Sequence, residues 1–170
     1  HVSEPVTEQL LLRMVNGEAV ALISDAGTPL VSDPGRRLVR AAQSKDIPVI
    51  PLPGPCAAIT ALSGAGLPTD RFFFEGFLPA KSHPRRKRLE SLRHQTGTLI
   101  FYEAPHRIRA TLADALEIMG PEREAVLARE LSKTFETLKR ASLSALLAWV
   151  DADANQQRGE QVVLIGPAQD

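Results

Sequence analysis

The chain has a single cysteine, no net charge and no long apolar run. One cysteine, Cys56, excludes an internal disulfide and a metal site built from several cysteines, and it suits a reducing compartment. Lysine and arginine together number 20, as do aspartate and glutamate, so overall charge does not direct the chain to nucleic acid or to a membrane. No apolar run approaches the roughly 18–20 residues that a membrane-spanning helix needs. We therefore expect a cytoplasmic protein with no membrane partner and no metal.

Short apolar runs alternate with helical periods along the chain. The predicted strands are 19–24, 48–52, 71–77, 98–103, 124–129, 134–139 and 161–165, and the predicted helices are 7–15, 36–44, 56–64, 84–93, 105–119 and 142–150. This alternation predicts an α/β fold whose mixed sheets are mainly parallel and covered by helices on both faces.

Turn residues at 64–70 predict a boundary between two domains, residues 1–67 and 68–170. The first part has only two predicted strands, and a two-stranded parallel sheet leaves backbone groups unpaired at both edges. Either another chain completes this sheet or the first domain is incomplete in this chain, and we favour the second.

Two loops rich in glycine and proline each follow a predicted strand. The first reads SDAGTPLVSDPG at 24–35, and the second reads PGPCAA at 53–58. If the two strands are neighbours, both loops lie at the carboxyl edge of one sheet, where α/β proteins bind ligands. Neither loop has the spacing of a P-loop or of a dinucleotide-binding fingerprint. Taken singly, each is also compatible with an ordinary connection from a strand to a helix.

Charged residues stand at two further strand ends. Glu103 ends one predicted strand and is followed by His106 and Arg107, while Arg129, Glu130 and Lys133 cluster at another. Such groups can orient a substrate hydroxyl or phosphate and accept its proton. A helix-capping carboxylate and a salt-bridged surface turn explain the same patterns.

The segment 81–88 is strongly basic although the whole chain is neutral. Its cations are Lys81, Arg85, Arg86, Lys87 and Arg88. Clustered cations suit contact with nucleic-acid phosphates. A solvated helix face is the alternative, and the lack of a matching acid nearby in the sequence favours the nucleic-acid contact.

Four segments read together resemble one protein family. They are SDAGTPLVSDPG, PLPGPCAAITALSGAGLPTDRFFFEGFLPAK, LIFYEAPHR and LARELSKTFE. They are similar to the ribosomal RNA small subunit methyltransferase I family, in the tetrapyrrole methylase-like superfamily. The resemblance implies a homodimer of two αβα domains that transfers a methyl group from S-adenosylmethionine to the ribose 2'-hydroxyl of a cytidine in 16S rRNA. It also implies an N-terminal portion that is absent here.

By this resemblance, the cofactor lies between the two domains. The matching positions are Asp25, Ala26, Gly27, Thr28, Pro29, Leu30, Cys56, Ala57, Tyr102, Glu103, Ala128, Glu160 and Gln161. Because a ribose hydroxyl is a weak acid, we expect Glu130 or Glu103 to accept its proton and Arg129 or Lys133 to orient it. Methylation of a tetrapyrrole and a non-enzymatic binding or dimerisation module remain the alternatives.

Overall fold

The structure of the protein, a computed structural model, describes residues 3–169. These residues divide into two compact units, one ending at Cys56 and the other beginning at Ala57. The division into domains 1–67 and 68–170 stays a prediction. The helix that follows Cys56 packs on the sheet of the second unit.

The first unit contains two helices that pack against each other, α1 (Glu4–Val15) and α2 (Arg36–Gln43). No strand forms in residues 3–56, so the predicted strands 19–24 and 48–52 are wrong for this chain. Several of their apolar side chains are exposed, with Ile23 83% and Leu52 81% exposed, whereas Val20 and Leu22 are half-buried. Apolar composition alone cannot make a strand, because a strand also needs a neighbour to pair its backbone groups.

The second unit contains five strands and four helices. The strands are β1 (Phe72–Phe77), β2 (Thr98–Glu103), β3 (Glu124–Arg129), β4 (Thr137–Ser142) and β5 (Gln161–Ile165), and the helices are α3 (Ala57–Ala65), α4 (Ser82–Leu92), α5 (Ile108–Met119) and α6 (Leu143–Ala152). Short 3-10 turns occupy Pro105–Arg107 and Ala154–Gln157. None of the helices described here is both long enough and apolar enough to cross a bilayer.

The strands form one mixed sheet in the order β1-β2-β5-β3-β4. The α/β class is confirmed. Mainly parallel pairing is wrong for this sheet, since among residues 57–169 only β1 and β2 pair in parallel and the other three pairings are antiparallel. The seven residues between β3 and β4 are too few for the helical crossover that a parallel pair requires, so the chain turns back on itself. Because of this turn, β4 begins at Thr137, three residues after the predicted start.

Helices cover both faces of the sheet, as predicted. Leu99 and Phe101 of β2 belong to a buried cluster that includes Leu112 of α5 and Leu146 of α6. On the opposite face α3 lies on the sheet and buries Leu62. Because side chains alternate along a strand, each strand supplies both layers.

Candidate functional site

In the first unit the two predicted loops contact each other. The Thr28 hydroxyl donates a 2.7 Å hydrogen bond to the carbonyl oxygen of Pro55. A Cβ added to Gly27 would lie 3.9 Å from the same oxygen. The two loops therefore meet at Thr28 and Pro55, but the predicted sheet edge is absent because neither loop follows a formed strand.

The first loop is held in an unusual backbone conformation. Gly27 has a φ of +73°, and the non-glycine residues Leu30 and Ser32 have φ values of 72° and 52°. Gly35 closes the loop with a φ of +132°, a backbone conformation in which a residue with a side chain would be strained. Left-handed non-glycine residues are costly and concentrate at functional sites.

In the second unit one edge of the sheet carries a row of polar residues in register. Glu103 pairs with Gln161, Gln161 pairs with Arg129, and Arg129 pairs with Thr137. One residue inward, Tyr102, Val162 and Ala128 form the next row. The antiparallel β5 thus brings together three predicted positions that lie far apart in the sequence.

Glu103 is a buried structural carboxylate. It is 3% exposed, its Oε1 accepts the backbone N–H of Ala104 at 2.8 Å, and its Oε2 accepts the Thr111 hydroxyl at 2.7 Å. Each oxygen therefore accepts one hydrogen bond, and the side chain ties the end of β2 to α5. This geometry gives Glu103 a structural role, and its part in accepting a substrate proton stays a prediction.

Arg129 and Gln161 are also buried at this edge. The Arg129 guanidinium donates to Gln156 Oε1 at 3.1 Å, to the Arg158 carbonyl and to the Thr137 hydroxyl, which are all neutral acceptors. Gln161 Nε2 donates to the Gln156 carbonyl at 2.8 Å, but within residues 3–169 its Oε1 has no donor. A buried acceptor without a donor in the protein calls for a partner from outside it, such as an ordered water or a ligand.

Glu130, Lys133 and Glu160 form a charged cluster beside this row. Glu130 Oε1 accepts the backbone N–H of Glu160 at 2.6 Å, and this bond, helped by the charges of Lys133 and Arg129, lowers the pKa of Glu130. Lys133 Nζ lies 2.8 Å from Glu160 Oε2, and this bond raises the pKa of Lys133. Both side chains are therefore charged at neutral pH. Glu130 itself has a φ of 52°, a strained conformation for a side-chain-bearing residue.

Tyr102 connects the sheet to the beginning of α3. Its hydroxyl oxygen accepts the backbone N–H of Ala58 at 3.1 Å, and its ring contacts those of Phe74 and Phe77 edge-on. Tyr102 thereby fixes the helix start at Ala57, one of the predicted cofactor positions.

The basic segment 81–88 has acidic partners after all. Arg85 is 3% exposed and donates to Asp114 at 2.7 Å, Arg86 bonds Asp114 and Glu117, and Arg88 Nε bonds Glu75 at 3.0 Å. The premise that no acid matches this segment is therefore wrong. Lys81 and Lys87 are exposed, and their side chains have no hydrogen-bond or ion-pair partner among the residues that the structure describes.

Sequence reasoning missed Asp114 and Glu117, which lie on α5, about thirty residues after the cations they bind. Their spacing of three residues on one helix was the only available signal. In the described part of the chain, no three histidine, cysteine, aspartate or glutamate side chains are grouped as a metal site would require.

Comparison with curated proteins gives relatives that share one name. Proteins called "Ribosomal RNA small subunit methyltransferase I" are 61% identical over 92% of this chain in Pseudomonas aeruginosa, 52% over 97% in Escherichia coli O157:H7 and 52% over its full length in Xylella fastidiosa. The chain spans 56%, 58% and 62% of the lengths of these three relatives.

Solved structures share the fold at low sequence identity. The methyltransferase CobJ has a TM-score of 0.68 at 22% identity, covering 96% of this chain and 70% of that one. Uroporphyrin-III C-methyl transferase from Thermus thermophilus, complexed with S-adenyl homocysteine, has a TM-score of 0.63 at 18% identity, covering 96% and 72%. The family description "Tetrapyrrole (Corrin/Porphyrin) Methylases" matches residues 3–147. The chain therefore belongs to the tetrapyrrole methylase family.

Proposed function

We propose that this protein is an S-adenosylmethionine-dependent methyltransferase that modifies the ribose 2'-hydroxyl of a cytidine in 16S rRNA, in the cytoplasm and as a homodimer. The observation that carries the proposal is the 61% identity, over 92% of this chain, to a ribosomal RNA small subunit methyltransferase I. The structural relatives with tetrapyrrole-related names are at most 22% identical in the examples above, so they support the fold alone.

Both units carry features that suit the cofactor. In the first unit, Asp25–Leu30 and Cys56 belong to the paired loops, of which residues 25–27 and 53–55 are exposed. In the second, Ala57, Tyr102, Ala128, Glu160 and Gln161 lie at α3 and at one edge of the sheet. The unpartnered Gln161 Oε1 fits a ligand with hydrogen-bond donors, and S-adenosylmethionine has amino, ammonium and hydroxyl donors.

When bound, the cofactor supplies a methyl group on a positively charged sulfur. The protein's own task is then to align the ribose hydroxyl and remove its proton. We propose Glu130 as the proton acceptor, because it lies beside the polar row and its Oε2 has no donor within the described residues. Lys133, fixed to Glu160, and the buried Arg129 would orient the substrate and stabilise the forming alkoxide.

The RNA contact is proposed at Lys81 and Lys87. Both are exposed cations that the acids of α5 and β1 leave unpaired in the described structure, unlike Arg85, Arg86 and Arg88. Cations of this kind bind phosphates in a salt-dependent way.

Calorimetric titration with S-adenosylmethionine tests the cofactor, and transfer of a labelled methyl group tests the substrate. We expect saturable binding, labelling of small ribosomal subunits and no labelling of precorrin substrates. Labelling of the precorrin alone would establish the tetrapyrrole alternative. Absence of both cofactor binding and methyl transfer would favour the non-enzymatic alternative, a binding or dimerisation module.

A further inference from the structure

A cavity lies at the end of the sheet opposite to the polar row. It has a volume of about 280 Å³ and its lining includes Arg93, His94, Glu122, Arg123 and Gln169. Arg123 immediately precedes β3, whereas Arg129 ends that strand. A strand of six residues is about 17–20 Å long, so the cavity is separate from the candidate catalytic edge.

Arg123 is a buried cation with incomplete bonding. It is 7% exposed, its Nε donates to the Gly166 carbonyl at 2.8 Å and its Nη1 donates to the Arg93 carbonyl at 3.0 Å. Its Nη2 is buried and has no acceptor in residues 3–169. Burial lowers the pKa of Arg123, and no carboxylate of the described residues pairs with it. A guanidinium cannot deprotonate in a protein, so its charge stays uncompensated.

The other charged groups at the cavity leave an excess of positive charge. Arg93 has a half-exposed side chain whose ion pair with Glu90 is long, at 3.5 Å. His94 is exposed and its ring offers an N–H donor, while Glu122 is the one carboxylate among the lining residues. Two arginines thus face one acid in the lining. Because Arg123 is buried, its field reaches the cavity with less screening than a surface charge would have.

The cavity wall is rigid where it meets these cations. Gly166 N–H donates to the Glu124 carbonyl at 2.8 Å, and Ala168 N–H donates to the Gln95 carbonyl at 3.0 Å. These bonds hold residues 166–168 beside the beginnings of β2 and β3. A fixed backbone around an uncompensated arginine is a preorganised setting for an anion.

We propose that this cavity binds a phosphate group and that, in the substrate of the proposed function, the group is a backbone phosphodiester of the RNA. This inference rests on the proposed function for its source of phosphate, but the anion site itself does not. Arg93 and His94 would contact the phosphate oxygens, and the buried charge of Arg123 would strengthen their attraction. The site would then anchor RNA away from the reacting ribose.

The test compares Arg93→Gln with Arg13→Gln in the full chain. Both remove one exposed arginine charge, but Arg13 already pairs with Glu18 and lies in the first unit. Binding of a single-stranded RNA oligonucleotide is measured between 50 and 200 mM salt. For Arg93→Gln we expect the slope of log affinity against log salt to fall by about 0.7–0.9, the value of one lost phosphate contact. For Arg13→Gln we expect no change of slope.

Inorganic phosphate is the second probe, with chloride at equal ionic strength as its control. We expect phosphate to raise the melting temperature of the unmodified chain and of Arg13→Gln but not of Arg93→Gln. Stabilisation by phosphate with an unchanged RNA slope would establish a free-phosphate site and overturn the RNA assignment. No stabilisation and equal slopes for the two variants would overturn the site itself. Neither result depends on methyl transfer, so failure of the proposed function is seen separately in the cofactor titration.

Discussion

Arg85 of α4 and Asp114 of α5 form an ion pair that is almost completely shielded from water. Arg85 Nε lies 2.7 Å from Asp114 Oδ2, and the two side chains are 4% and 11% exposed. Arg85 also donates to the Ala80 carbonyl at 2.9 Å. A cation that the sequence places in a nucleic-acid contact is thus part of the packing between two helices.

Removing the acid from this pair should strongly destabilise the second unit. Asp114→Ala leaves the Arg85 charge buried without a partner, which typically costs about 3–5 kcal/mol. Lys87→Ala on the same α4 removes an exposed charge, and we expect it to change stability by less than about 0.5 kcal/mol. Urea unfolding measures both. Equal effects of the two substitutions would contradict the structural role of Arg85.

The free cations of the basic segment should affect RNA binding and leave stability unchanged. The double variant Lys81→Gln, Lys87→Gln should weaken binding of a single-stranded RNA. The slope of log affinity against log salt should fall by about 0.7–0.9 for each phosphate contact that is lost. Arg109→Gln combined with Arg140→Gln removes two exposed arginines that are already paired with acids, and it serves as the control. Identical salt slopes in both double variants would remove Lys81 and Lys87 from the RNA contact.

These two predictions separate residues that look alike in the sequence. Arg85 and Lys87 are close together in one basic run, and only the packing of α4 on α5 decides which of them meets an acid.

The strands 98–103, 124–129 and 161–165 have the predicted bounds, because each apolar run is also a paired, buried strand. The strands 19–24 and 48–52 fail because no neighbour pairs their backbones. The row of Glu103, Gln161 and Arg129 follows from the strand order, which local patterns do not specify.

The loop at Gly27 can be tested against a second glycine of similar backbone conformation. Gly27 has a φ of +73° and Gly17 a φ of +91°, and a Cβ meets no atom closer than 3.9 Å at either position. Alanine at each should therefore cost a similar amount, about 1–2 kcal/mol, from backbone strain. We expect only Gly27→Ala to weaken binding of S-adenosylmethionine, as measured by calorimetry. Equal affinities for the cofactor in both variants would exclude the loop from the site.

Glu130 should stabilise the fold only while it is ionised. Its pKa is lowered chiefly by the Glu160 N–H, so its contribution is present above the ordinary glutamate pKa and is lost as the pH falls through the lowered value. The stability difference between the unmodified protein and Glu130→Gln should be constant above about pH 5 and shrink toward acid pH. Thermal unfolding across pH 2–7 measures it. A difference independent of pH would show that the carboxylate charge is not stabilised.

The most direct measurement is to locate the methyl group that the protein transfers from labelled S-adenosylmethionine to small ribosomal subunits. Digestion of the 16S rRNA followed by mass spectrometry distinguishes a ribose from a base. The proposed function predicts one labelled cytidine whose methyl group is on the 2'-oxygen, with the label strongly reduced by Glu130→Gln. Label on a base, or none on the RNA while a tetrapyrrole is methylated, would contradict it.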